Sequence, residues 1–148
     1  MSLKETIAAD LIVAMKAREK LKVSTLRMTL SAFTYVEKDK RRELTDEEML
    51  ETVGREVKKR RESITEYTKA GRTDLSDKEE AEVAILAVYL PEQLSDAVLR
   101  EIIETAVRET GASGPGDIGK VMGSVIPKTK GRADGKKINE IVRSLLAD

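Results

Sequence analysis

Apolar residues recur along the chain at spacings of three and four, the period of helices that bury one face. Leu3, Ile7, Leu11, Ala14 and Met15 alternate with Lys4, Glu5, Asp10 and Lys16, which predicts an amphipathic helix ending near Lys20. Ser24 can cap a second helix with Leu26, Leu30, Phe33 and Val36 inward, and the charged stretch Glu37 to Glu43 reads as its solvated end and turn. Thr45 with Glu48 has capping-box spacing and opens a long helix toward Ala70, where Gly71 supplies a stop. Its predicted stripe is Leu50, Val53, Val57, Ile64 and Tyr67, with Lys58 to Glu62 as a charged girdle. Ser76 with Glu79 repeats the capping spacing. The fourth helix that follows carries Val83, Ile85, Leu86, Val88, Tyr89 and Leu90 on more than one side, so it is expected to be the most buried segment of the first part.

Pro91 lacks an N–H and disfavours helical geometry at Leu90, so the domain boundary is placed there. The expected organisation is an N-terminal helical domain over 1–90, a linker over 91–94 and a small C-terminal helical domain over 95–148. Ser95 caps a fifth helix with Val98, Leu99, Ile102, Ile103, Ala106 and Val107, ending at the glycine-rich turn Gly111 to Gly116. A sixth, short helix runs from about Asp117 to Ile126 and is stopped by Pro127. After a basic loop, Lys128 to Arg132, Asp134 caps a last helix with Ile138, Ile141, Val142, Leu145 and Leu146 inward. No segment alternates like a strand, so the fold class is all-α: a bundle of about four helices and a three-helix domain. The second domain lies near the lower size limit for a core stable alone.

Composition narrows the chemistry. With aromatics at 3% of the chain, Phe33, Tyr35, Tyr67 and Tyr89 cannot line a base-stacking platform, although binding through phosphate and shape stays open. The chain has no Cys and no His, which excludes disulfides, thiol nucleophiles, Cys/His zinc sites and histidine acid–base catalysis. No long apolar run or secretory leader is visible, so no membrane partner and a cytoplasmic location are expected.

The formal net charge is +0, but its distribution is uneven. Residues 44–95 hold eight basic and thirteen acidic side chains, and the flanking segments are slightly basic. From Lys120 to Lys137 there are six cations, Lys120, Lys128, Lys130, Arg132, Lys136 and Lys137, against Asp134 alone. This loop and helix start has N–H groups suited to an anion, and the residues alone leave docking and plain solvation both open. The carboxylates Glu47, Glu48 and Glu51, and likewise Glu79, Glu80 and Glu82, sit in first turns where they complement the helix dipole, a better account than paired-carboxylate catalysis. Ser124 and Lys128 lack an orienting third group, and the glycines from Gly111 to Gly123 lack the Gly-Lys-Ser/Thr ending of a phosphate loop. Gly119 and Gly123 instead suggest a close helix crossing. The run Lys58 to Arg61 reads as a solvated surface paired to nearby glutamates.

Three segments carry a family resemblance: Tyr89-Leu90-Pro91-Glu92-Gln93-Leu94-Ser95, Asp117-Ile118-Gly119-Lys120-Val121-Met122-Gly123, and Lys130-Gly131-Arg132-Ala133-Asp134-Gly135-Lys136. Together with Arg61-Glu62-Ser63-Ile64 and Ala70-Gly71-Arg72 they make the chain resemble the YqeY-like proteins over nearly its whole length. That family is similar to the C-terminal tail (the GatB/YqeY domain) of the B subunit of the amidotransferase acting on mischarged glutamyl-tRNA(Gln) or aspartyl-tRNA(Asn). The resemblance implies two helical subdomains and a tRNA-contacting tail, with phosphorylation and transamidation housed in a separate domain.

Three functions follow as expectations. The first is a stand-alone RNA-interaction module that binds tRNA through Lys120, Lys128, Lys130, Arg132, Lys136 and Lys137, with no catalytic residue, cofactor or metal of its own. The second is an adaptor docking on a synthetase or amidotransferase subunit through an apolar patch bordered by Gly119 and Gly123. The third is carbon–nitrogen ligase activity with glutamine as amido-N-donor, for which the chain offers no obvious ATP site.

Overall fold

The computed structural model describes residues 1–147, and among these every regular element is helical. In chain order they are α1 (Leu3–Lys16), α2 (Lys20–Lys40), α3 (Asp46–Lys69), α4 (Thr73–Ala87), α5 (Asp96–Thr110), a short 3₁₀ turn (Pro115–Asp117), α6 (Ile118–Thr129) and α7 (Gly135–Leu146). The chain divides into two compact units, the first Met1–Leu90 and the second beginning at Pro91.

In the first unit α1 packs on α2 and α3 on α4, with α2 touching both members of the second pair. Ile7, Leu26, Phe33, Val53, Val57 and Leu86 form the centre of its core. The Thr45 and Glu48 capping box forms: the Thr45 hydroxyl accepts from the Glu48 N–H at 3.2 Å, and Glu48 accepts from the Thr45 N–H at 3.0 Å. At the other end of α3, Gly71 takes a left-handed φ of 70°. Its N–H reaches the Thr68 carbonyl at 3.1 Å and the Arg72 N–H reaches that of Tyr67 at 2.9 Å, which satisfies two of the last carbonyls.

Glu48 does more than cap. It holds Arg42 through two bonds of 2.7 and 3.0 Å and Lys40 at 2.8 Å, and these cations keep its carboxyl well below the usual carboxylate range. A depressed folded-state value means that the stabilisation is complete above the ordinary glutamate value of 4.5 and is lost as pH falls below it. Glu48→Gln, which keeps the capping geometry, is therefore expected to lower the urea midpoint at pH 7, with the difference from wild type closing below pH 4.5. A pH-independent difference would contradict this.

The helices depart from the sequence expectations at several points. α1 ends at Lys16 rather than near Lys20, because Arg18 adopts a left-handed φ of 58° and turns the chain at once into α2. Ser24 is not the cap of α2: it lies a turn inside the helix and its hydroxyl donates to the Leu21 carbonyl at 3.0 Å. Ser76 is likewise internal to α4, donating to the Thr73 carbonyl at 3.2 Å, so the second capping box does not form. Met15 is exposed instead of inward. α4 is not the most buried segment; of its apolar residues only Leu86 is fully enclosed, and Val88, past its end, is 76% exposed.

The charged girdle of α3 also differs from expectation. Lys58, Lys59, Arg61 and Glu62 are exposed, but Arg60 is only 5% exposed. Its Nη1 donates to the Glu56 carbonyl at 3.0 Å and to the Glu56 carboxylate at 3.1 Å, while Nε stands 3.6 Å from the buried Glu82 carboxylate of α4. Glu82 in turn accepts from the Thr25 hydroxyl of α2 at 3.4 Å. An ionic cluster thus joins three helices inside the first unit. Glu79, one turn away, is raised above the ordinary carboxylate range by burial and by the neighbouring Glu82 charge.

In the second unit α5, α6 and α7 pack pairwise around Leu99, Ile103, Ala106, Val121, Val125, Ile138, Val142 and Leu146. Ser95 caps α5 through the Val98 N–H at 3.2 Å, although Val98 itself is exposed. Asp134 caps α7 through the Lys136 N–H at 3.1 Å. Pro127 does not stop α6, which continues to Thr129. Gly123, whose carbonyl loses its donor to the proline, is exposed to water, and Thr129 anchors the last turn by donating to the Val125 carbonyl at 3.0 Å.

Candidate nucleic-acid interface

The cationic segment is built on the turn between α6 and α7. Lys128 belongs to the last turn of α6, so the expected loop from Lys128 to Arg132 is shorter than the charge pattern suggested. Lys130 leaves the helix in an extended direction, and Gly131 takes φ 74°, a left-handed value that reverses the chain. The Arg132 N–H then closes on the Thr129 carbonyl at 2.8 Å. Ala133 packs toward the core, and Lys136 and Lys137 occupy the first turn of α7, which carries no acidic residue.

Residues 91–94, read from sequence as a linker, are stitched to this turn. The Leu94 N–H donates to the Arg132 carbonyl at 2.8 Å, and the Gln93 amide donates to the carbonyls of Gly131 at 2.9 Å and Pro91 at 2.8 Å. Arg132 Nε donates to the Glu92 carbonyl at 3.3 Å. One edge of its guanidinium therefore positions it.

The six predicted cations do not form one cluster. Lys130, Arg132, Lys136 and Lys137 follow one another along the turn and the start of α7. Lys120 stands in the first turn of α6, roughly 12 Å along the helix axis from Lys128 at 1.5 Å per residue. Acids attend three of them: Asp117, three residues before Lys120, lies 3.8 Å from it, while Glu109 and Asp96 come from farther along the chain, Glu109 lying 3.6 Å from Lys128 and Asp96 binding Lys137. Asp117 is held below the ordinary range first by the Ser113 N–H, so it stays anionic. These pairs lie at the surface, where screening leaves them weak, and a phosphate can displace them at little cost.

Gly119 and Gly123 do not mediate a close helix crossing, since both are exposed and nothing lies within 4 Å of a Cβ built on either. They share an open face of α6 with Ile126, which is also exposed. Two features escaped the sequence reading. The Arg60, Glu56 and Glu82 cluster could be found only through helix pairing, because Glu82 is 22 positions from Arg60. Burial, and then the bond by which the Tyr89 hydroxyl donates to Asp10 at 2.5 Å, push this phenol well above its usual range. Among the described residues no group of three or more acidic side chains is arranged to hold a metal ion, and no helix is long and apolar enough to cross a membrane.

Comparison with known proteins places these features in a wider set. The chain is 30% identical over 143 residues to a protein of Pyrenophora tritici-repentis named altered inheritance of mitochondria protein 41, mitochondrial, covering 92% of this chain and 78% of that one. An uncharacterized protein of Schizosaccharomyces pombe is 36% identical over 95 residues, 64% of this chain and 77% of its own length. A subunit of the glutamyl-tRNA(Gln) amidotransferase of Thermococcus sibiricus is 28% identical over 152 aligned residues, spanning 100% of this chain but only 22% of its own length. The pattern of the family described as Yqey-like protein matches residues 4–146, the same span that the packed helices occupy, and the chain belongs to that family.

Proposed function

We propose that the chain is a tRNA-interaction module that binds a folded tRNA, or a tRNA-handling assembly, through the α6–α7 turn and leaves covalent chemistry to another polypeptide. The observation that carries this reading is the succession Lys130, Arg132, Lys136 and Lys137 on a turn hydrogen-bonded to residues 91–94. Such a turn presents positive charge at fixed positions, which suits phosphate contacts and shape more than base readout. Similarity to a protein whose name includes glutamyl-tRNA(Gln) supports the choice of RNA class. A cytoplasmic location belongs to the same reading, and cell fractionation that found the chain in mitochondria would contradict it.

Titration of labelled tRNA at low and moderate salt tests the proposal. The expected result is binding that weakens steeply with salt, and a Lys128→Ala, Lys130→Ala, Arg132→Ala triple variant that binds about tenfold or more weakly with a shallower salt slope. Binding unchanged by both salt and substitution would remove the proposal.

The open α6 face of Gly119, Gly123 and Ile126 favours a second reading, an adaptor that docks on a synthetase or on a subunit of an amidotransferase. Co-purification of a stoichiometric partner that resists nuclease and is lost on Ile126→Asp would support it over the first. A ligase using glutamine as amide donor would instead require ATP hydrolysis coupled to amide formation by the purified chain.

A further inference from the structure

The densest set of unpaired cations lies in the first unit. Between Leu11 and Leu30 the chain carries Lys16, Arg18, Lys20, Lys22 and Arg27 against Glu19 alone. The left-handed turn at Arg18 folds these together at the corner of α1 and α2, with the Glu19 N–H donating back to the Ala14 carbonyl at 3.0 Å. Lys16, Arg18, Lys20 and Arg27 are exposed, and among the described residues none of them makes an ion pair, unlike Lys128 and Lys137 of the second unit.

Beside these charges stands an apolar ledge. Ile12 is 54% exposed and Met15 is 47% exposed, three residues apart and therefore on one flank of α1. Arg27 from α2 reaches over the ledge, its Nη2 3.9 Å from the Met15 sulfur. The methionine is an adaptable contact for another aliphatic side chain.

We propose that the α1–α2 corner docks an acidic amphipathic helix of a partner protein. Apolar residues of that helix, at spacings of three and four, cover Ile12 and Met15, and its carboxylates face Lys16, Arg18, Lys20 and Arg27. The pairing of ledge and charge decides the partner class. An RNA backbone would satisfy the cations but set phosphate and ribose against Ile12 and Met15, where they gain nothing. A lipid surface needs a broad apolar face to insert; α1 and α2 also expose Val13 and Met28, but their main apolar residues, Ile7, Ala14, Leu26 and Phe33, are buried in the core, and the exposed ones are interrupted by charge. This inference stands apart from the tRNA reading, which concerns the second unit.

Fluorescence anisotropy with the full chain tests it. The probe is a labelled peptide of about 18 residues, five helical turns, with Leu at helical spacing and Glu elsewhere. Controls are a scrambled peptide of the same composition, an RNA hairpin and phosphatidylserine-containing vesicles. The amphipathic peptide is expected to bind about tenfold or more tightly than the scrambled one, and the Arg18→Glu, Lys20→Glu double variant to lose about tenfold or more of that affinity. Ile12→Ser with Met15→Ser is expected to weaken binding while leaving its salt dependence unchanged. All four positions are exposed, and circular dichroism checks that the fold is retained. No binding of the amphipathic peptide, or equal binding of the scrambled one, overturns the proposal, as does a charge reversal that abolishes RNA or vesicle binding but spares the peptide.

Discussion

Glu82→Ala is expected to cost the first unit about 3 kcal/mol or more, a large share of the stability of a domain this size. The loss arises from what is left behind. Arg60 remains only 5% exposed with its Nε without a hydrogen-bond partner, and the charge that faced it at 3.6 Å is gone. Glu56 still holds Nη1 at 3.1 Å, which keeps the cost below that of a fully orphaned guanidinium. The Thr25 hydroxyl also loses its acceptor. Removing both charges at once, as Arg60→Met with Glu82→Leu, is expected to recover most of the stability, because neither side chain then needs a partner in the interior. Urea unfolding of Arg60→Met, of Glu82→Leu and of the two combined measures this coupling. Additive losses would show that Arg60 and Glu82 do not act as a pair.

Ile103→Ala is expected to abolish tRNA binding without touching a cation. Ile103 is fully buried at the meeting of α5, α6 and α7, and truncating such a residue costs about 2–5 kcal/mol. A unit of this size has little more than that to lose. Once α6 and α7 separate from α5, the hydrogen bonds from Gln93 and Leu94 to the turn have nothing to hold. Proteolysis after Lys and Arg in the second unit is expected to accelerate in the variant, and its affinity for tRNA to fall with it. Retained affinity in a chain whose second unit is readily cleaved would mean that the turn binds without its fold.

Much of the helical architecture is legible in the apolar period, and the caps at Thr45, Ser95 and Asp134 mark their helices correctly. The false caps, Ser24 and Ser76, share a cause. A hydroxyl of the right spacing can equally return to a carbonyl of the preceding turn, and nothing local distinguishes the two. Pro127 misleads similarly, since the cost of a proline near a helix end depends on whether the carbonyl it orphans faces water. Charge counting picked out the α6–α7 turn but overstated its excess, because Asp117 stands just before the counted segment and Asp96 and Glu109 approach from elsewhere in the sequence. The buried Arg60 was hidden inside a run of four cations, three of which are exposed.

Chemical-shift mapping of isotope-labelled protein titrated with tRNA tests the central claim most directly. The account predicts that the backbone amides most perturbed are those of residues 130–137, together with 91–94 through their hydrogen bonds to the turn. Perturbations confined to residues outside the second unit, or none at saturating tRNA, would contradict it.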